Sequence, residues 1–181
     1  MKIFMNEKGL TLVELMVAIG VSMIIAYTIF VAMRTAQAQL DSGNVRMTIE
    51  TSAREGLYRM VQEIRESAPT KISITNSGGT ITFNVPNPSS PVTSGYAVSW
   101  PGHSISYARG GTNSAQIIRT NSTTGQTSVL ANDVTALTFT GNTASPSVVT
   151  IAMSVQRNLV NGRSIPASAI SITGQAKIRN T

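Results

Sequence analysis

The chain has 181 residues and a formal net charge of +6 at pH 7, which bounds it to one domain, or one domain with an appendage. Charged residues make up 12% of it, about half the usual share, and Ser, Thr, Asn and Gly fill the gap, mostly after residue 70. With no cysteine, a disulfide framework, a thiol nucleophile and a thiolate metal site are all excluded.

The first element is an apolar run from Leu10 to Met33 whose only charge is Glu14. As a helix it would extend about 36 Å, enough to cross a hydrocarbon core of about 30 Å with some tilt. Ahead of it lies MKIFMNEKG, where Lys2 and Lys8 outnumber Glu7. That bias favours a cytoplasmic N-terminus and a C-terminal part outside the cytoplasm. Ala36-Gln37-Ala38 would suit a secretory cleavage site, but signal h-regions run about 7–15 residues and lack acids. A carboxylate inside such a run costs about 2.5–3.5 kcal/mol at mid-bilayer on insertion scales, so Glu14 calls for a partner or an interfacial seat.

The segment Gly9-Leu10-Thr11-Leu12-Val13-Glu14-Leu15 resembles the class III leader motif of type IV prepilins. It has a short basic leader ending in glycine, an apolar first mature residue, and Glu at the fifth mature position. The resemblance implies cleavage by a prepilin peptidase between Gly9 and Leu10, then N-methylation of Leu10. The new amine on Leu10 would lie one helical turn from Glu14 on the same face. In a filament, the family's picture gives Glu14 the N-terminal amine of a neighbouring subunit, a register device between packed helices. The competing reading is a glutamate that snorkels to the headgroups.

From Arg34 to Ala68 there is no proline, and five acids balance five arginines. Ala53, Leu57, Met60, Val61, Ile64 and Ala68 recur at spacings of three and four, an amphipathic stripe, and Pro69 ends the pattern. A continuous helix from Leu10 to Ala68 would be about 88 Å long. Gly43 marks a candidate bend, since glycine weakens a helix interior by about 1 kcal/mol. Unlike many major pilins, the chain has no proline within its apolar helix.

After Pro69 the period becomes two. Lys71–Thr75 and Thr80–Val85 flank Asn76-Ser77-Gly78-Gly79 and predict a hairpin. Residues 87–91 (NPSSP) form a loop, and Tyr96–Trp100 and Ser104–Ala108 are short strands around Pro101-Gly102. Ala115–Thr120 and Thr127–Leu130 predict another hairpin across Asn121–Gln126. Val134–Thr140 and Val148–Gln156 are the clearest strands, and Ala169–Arg179 closes the chain. The expected fold is α+β: one long N-terminal helix packed on an antiparallel sheet, pilin-like. The expected segments are a leader (1–9), a transmembrane and polymerisation helix (10–33), an amphipathic continuation (34–68) and an exported β-rich head (69–181).

LANDVTALTFT, the strand VVTIAMSVQRN, the tail KIRN and the helix segment SAREGLYRMVQEIRESA resemble the J-type minor pseudopilins of type II secretion and PilW-like minor pilins. That resemblance implies a low-abundance subunit that initiates or caps a fibre. Its partners would be other pilins or pseudopilins, the prepilin peptidase, an inner-membrane assembly platform, and the membrane itself through residues 10–33. Type II secretion and a type IV pilus both remain open, as does a monomeric single-span anchor for a β-rich binding domain.

The expected head contains one acid, Asp133, and one histidine, His103. A triad or a carboxylate pair needs at least two convergent titratable groups, so no catalytic residue is expected. Calcium sites usually recruit several carboxylates, so no metal or cofactor is expected either. Asp133 reads as a turn residue and His103 as a surface residue. From Pro69 onward seven bases face Asp133 alone, a net +6. Such a head is compatible with nucleic acid in a DNA-uptake pilin, but the bases are scattered and a solvated surface is favoured. Stacking on single-stranded bases would need Trp100, Tyr96 or Tyr107 beside a basic groove near Arg109.

Overall fold

The structure, a computed structural model, describes residues 11–86, 93, 98–100, 104–159 and 164–179. The contacts divide the chain into two units, Met1–Gly43 and Asn44–Thr181. A single helix, α1, runs from Leu12 to Arg65 without interruption, so Gly43 does not break it.

Within the first unit every described helical residue is exposed except Ser42, which is half-buried. Such a segment needs no sheet to stay helical, because its backbone bonds are satisfied internally. Ser22 and Thr35 donate their hydroxyls to the carbonyls of Ala18 and Val31 at 2.7 and 2.9 Å, which hides their polarity from an apolar surrounding. By length and composition this helix is a candidate membrane span, with none of the apolar window buried.

The second unit holds the core. Strands β1 (Ile72–Thr75), β2 (Thr80–Asn84), β3 (Ser104–Gly110), β4 (Gln116–Asn121) and β5 (Thr127–Asn132) form one antiparallel meander in chain order. Strands β6 (Val134–Gly141), β7 (Val148–Asn158) and β8 (Ser164–Lys177) form a second. The expected single sheet is therefore two. The break falls at Asp133, whose φ of 60° lies in the left-handed region, a conformation that Asp tolerates better than most residues. Val134 N–H donates to the Ala115 carbonyl, and Gln156 N–H donates to the Asp133 carbonyl, at 2.9 and 2.8 Å. The junction thus ties both sheets to one corner.

Period-two alternation sets the inner faces. Ile81 and Phe83 of β2 pair with Tyr107 and Ile105 of β3, and Val149, Ile151, Met153 and Val155 of β7 are all buried. A register shift between Val134 and Ala136 lets Val134 and Leu137, three residues apart, both turn inward.

Several expected bounds move by a few residues. The helix stops at Arg65 rather than Ala68, because the residue before a proline is pushed out of the helical region; Ala68 has φ −115° and ψ 152°. Pro69–Lys71 is a 3-10 turn, so β1 begins at Ile72. The first hairpin holds, with Thr75 opposite Thr80, and so does the hairpin of β4 and β5. Strand β8 begins at Ser164, ahead of the expected Ala169. Of Tyr96–Trp100, only Val98 to Trp100 are described, with a single bridge at Val98. The loop at 87–91, together with Tyr96, Pro101, Gly102 and His103, lies outside the described residues.

Candidate assembly and processing site

The first turn of α1 is closed by its own side chains. Thr11 immediately precedes the helix, and its backbone N–H and hydroxyl both donate to Glu14 Oε2 at 3.1 Å. In return the Glu14 N–H donates to Thr11 Oγ1 at 3.2 Å. This reciprocal pattern is a capping box, which satisfies two backbone donors that a helix start leaves unpaired. The signal T-x-x-E is present in Thr11-Leu12-Val13-Glu14, but sequence reasoning missed it by treating Glu14 as an ion-pair partner or a snorkelling side chain. Glu14 therefore has a local partner at the helix end. Gly9 and Leu10 lie outside the described residues.

The packing site is the other end of α1. Met60 and Ile64 are fully buried, Leu57 is buried, and Val61 is half-buried against the same core. Ile49 extends the stripe one turn before Ala53, further than the sequence pattern had placed it. Two glycines allow the helix to come close. A Cβ on Gly56 would stand 3.2 Å from Ala131 Cβ on β5, and one on Gly174 of β8 would stand 3.1 Å from Leu57 Cδ1. The helix thereby rests on both sheets at once.

Beside this stripe sits a polar clamp that sequence reasoning missed. Glu63 is one of the five acids that balance five arginines in this stretch, yet it accepts the Tyr107 hydroxyl at 2.6 Å and the Arg119 Nε–H at 3.0 Å. Its position three residues after Met60, at the border of the stripe, was the available signal. Burial pushes the Tyr107 phenol far above its usual value, and the Glu63 hydrogen bond and charge push it further. Desolvation works against the charged Arg119, but the hydrogen bond and charge of Glu63 outweigh it and raise its pKa. Tyr107 packs against Phe83 with ring centroids 5.6 Å apart. It is buried, so it offers no stacking face to a nucleic acid. Arg109, close to it in sequence, donates to the Thr135 carbonyl.

Asp133 occupies the expected turn and does more than cap it. It accepts Arg157 Nη2–H at 2.8 Å and Nε–H at 3.1 Å, and the Asp133 hydrogen bond raises the Arg157 pKa against a smaller desolvation effect. Among the described residues no three of His, Asp and Glu come together as metal ligands would.

Residues 4–26 match the family model described as the prokaryotic N-terminal methylation motif. The chain carries a type IV prepilin-like leader, and that leader, ahead of a long helix packed on antiparallel sheets in a pilin-like α+β fold, supports a type IV pilin-like protein. Such a leader implies assembly with other pilin subunits and, with the apolar helix, anchoring in a membrane. No curated protein and no solved structure matches the chain.

Proposed function

We propose that this protein is a minor pilin or pseudopilin subunit, built for the initiation or tip complex of a type IV pilus or a type II secretion pseudopilus, and not an enzyme. Prepilin peptidase would cut between Gly9 and Leu10, and Leu10 would be methylated. The subunit would wait in the inner membrane as a single span with its head outside the cytoplasm, until an assembly platform passes it to neighbouring pilins. The observation that carries this reading is the continuity of the methylation motif at residues 4–26 with a 54-residue helix. The apolar first part of that helix is wholly exposed, while its last turns anchor a folded head. The structural role is supported further by the engagement of the head's acid, Asp133, in an ion pair.

Intact-mass measurement of the membrane form tests the processing step, with loss of residues 1–9 and one added methyl expected. Glu14→Val tests assembly. The variant should be cut and inserted like the parent but should fail to co-purify with sheared filaments or partner pilins, because a neighbour's amine would be left unpaired in a low-dielectric bundle. A subunit at the very tip, with no neighbour above it, would tolerate the loss, and crosslinking its head to the other minor subunits tells the two outcomes apart. A retained leader in a host with a working peptidase, or cleavage after Ala38, overturns the reading.

A further inference from the structure

The charge that ends the apolar run has an unusual seat. The Arg34 guanidinium carbon lies 5.3 Å from the centroid of the Phe30 ring, one turn earlier on the same face. Among the described residues no carboxylate lies within ion-pair distance of Arg34. This one contact leaves an exposed guanidinium, whose N–H fork geometry matches phosphate oxygens.

Spacing says where this edge would lie. Arg34 follows Glu14 by 20 residues with no charge between them, which is about 30 Å of helix axis. That length equals the hydrocarbon thickness of a typical bilayer, about 30 Å. Interfaces are also where aromatic rings and the heads of long basic side chains settle.

We propose that Arg34, held over the Phe30 ring, binds the phosphate of a lipid headgroup and thereby fixes the depth of the helix in the bilayer. This rests on the single-span reading above. Glu14 then lies at the opposite boundary, where its bonds to Thr11 close the helix end, and no carboxylate sits at mid-bilayer before assembly. The Phe30 ring holds the guanidinium back over the preceding turn of the helix, so the phosphate contact forms at one height.

The cysteine-free chain suits a depth measurement. Single variants Met33→Cys, Thr35→Cys, Gln37→Cys and Gln39→Cys of the full chain are placed in vesicles of phosphatidylethanolamine and phosphatidylglycerol. The same set is placed in vesicles of a galactolipid that lacks phosphate. A membrane-impermeant maleimide then reads which positions are open. With Arg34 present in phospholipid, the step from protected to labelled should fall at Thr35. Adding Arg34→Gln should protect Thr35→Cys and move the step outward by about one turn, 5.4 Å. Arg34→Lys should give an intermediate shift. In galactolipid, chains with and without Arg34→Gln should label alike. Equal profiles for these two sets in phospholipid would overturn the phosphate contact, as would an equal shift in both lipids. Absence of any protected stretch in any chain would overturn the single span, and the depth anchor with it.

Discussion

The two parts of α1 are continuous in backbone and opposite in environment. Between Leu12 and Met33 the large apolar side chains point to all sides and are exposed, Leu12 at 74% and Phe30 at 55%. From Ile49 to Ile64 the buried apolar residues keep to one face. Helix propensity does not separate the two, since both are helical. Patterning does: a helix apolar all round belongs in a membrane or a helix bundle, whereas one with a single stripe belongs on a sheet. One element therefore carries two instructions, and removing one should leave the other intact.

The bluntest way to break the comparison is to delete residues 1–33. All membrane association should be lost, while the remainder should stay soluble and unfold cooperatively, as membrane fractionation and thermal melting would show. If the fragment aggregates, the apolar run belongs to the core after all. Next in size is the stripe. Ile64→Ala or Met60→Ala should cost about 2–5 kcal/mol in chemical denaturation, whereas Ile24→Ala in the exposed part should leave the head's melting curve unmoved.

The clamp between helix and sheet should cost somewhat less to open. Tyr107→Phe removes a hydrogen bond to a charged group, worth about 1.5–3 kcal/mol. It should also change the response to alkali. The folded state holds the Tyr107 proton above the phenol's ordinary value of 10.0, so above pH 10 the unfolded chain releases that proton first. Stability is then fully present below pH 10 and falls above it, by up to about 1.4 kcal/mol per pH unit. Tyr107→Phe should lack that part of the alkaline loss, and urea midpoints from pH 8 to pH 11 would reveal it. An identical slope in both proteins would rule out Tyr107 as its source.

Gly174→Val adds atoms where Leu57 already presses on β8, and overpacking of this kind costs about 1–3 kcal/mol. A variant as stable as the parent would mean the helix can lift from the second sheet. The smallest effect belongs to Thr11→Ala, which removes the cap and should fray the first turn by about 1 kcal/mol. Faster hydrogen exchange at the Glu14 and Leu15 amides, which bond to Thr11 Oγ1 and the Thr11 carbonyl, is the expected sign in micelles. Unchanged protection there would show that the cap is dispensable.

Much of this was legible because the signals are local. The stripe Leu57, Met60, Val61, Ile64 needs only helical spacing, the hairpin at Asn76–Gly79 only its turn residues, and β7 only its alternation. The capping box was legible too, in Thr11 and Glu14, but lay behind a reading of the same residues as a cleavage motif. What stayed hidden depends on distant partners. Nothing near Glu63 announces Tyr107 or Arg119, which lie 44 and 56 residues away. The division into two sheets turns on one left-handed residue, Asp133, whose neighbours alternate as if the ladder continued.

The close approach of Leu57 to Gly174 also sets an order of events during synthesis. The stripe leaves the ribosome before any strand, while one of its two seats, β8, is made only after β1 to β7. Each sheet is a meander whose hairpins can form locally and early, but the stripe lacks its second seat until β8 has been made. A nascent chain halted before Gly174 should therefore leave the stripe open to proteases and chaperones, and addition of β8 should close it. Stalled chains of increasing length, challenged with protease, would locate that moment.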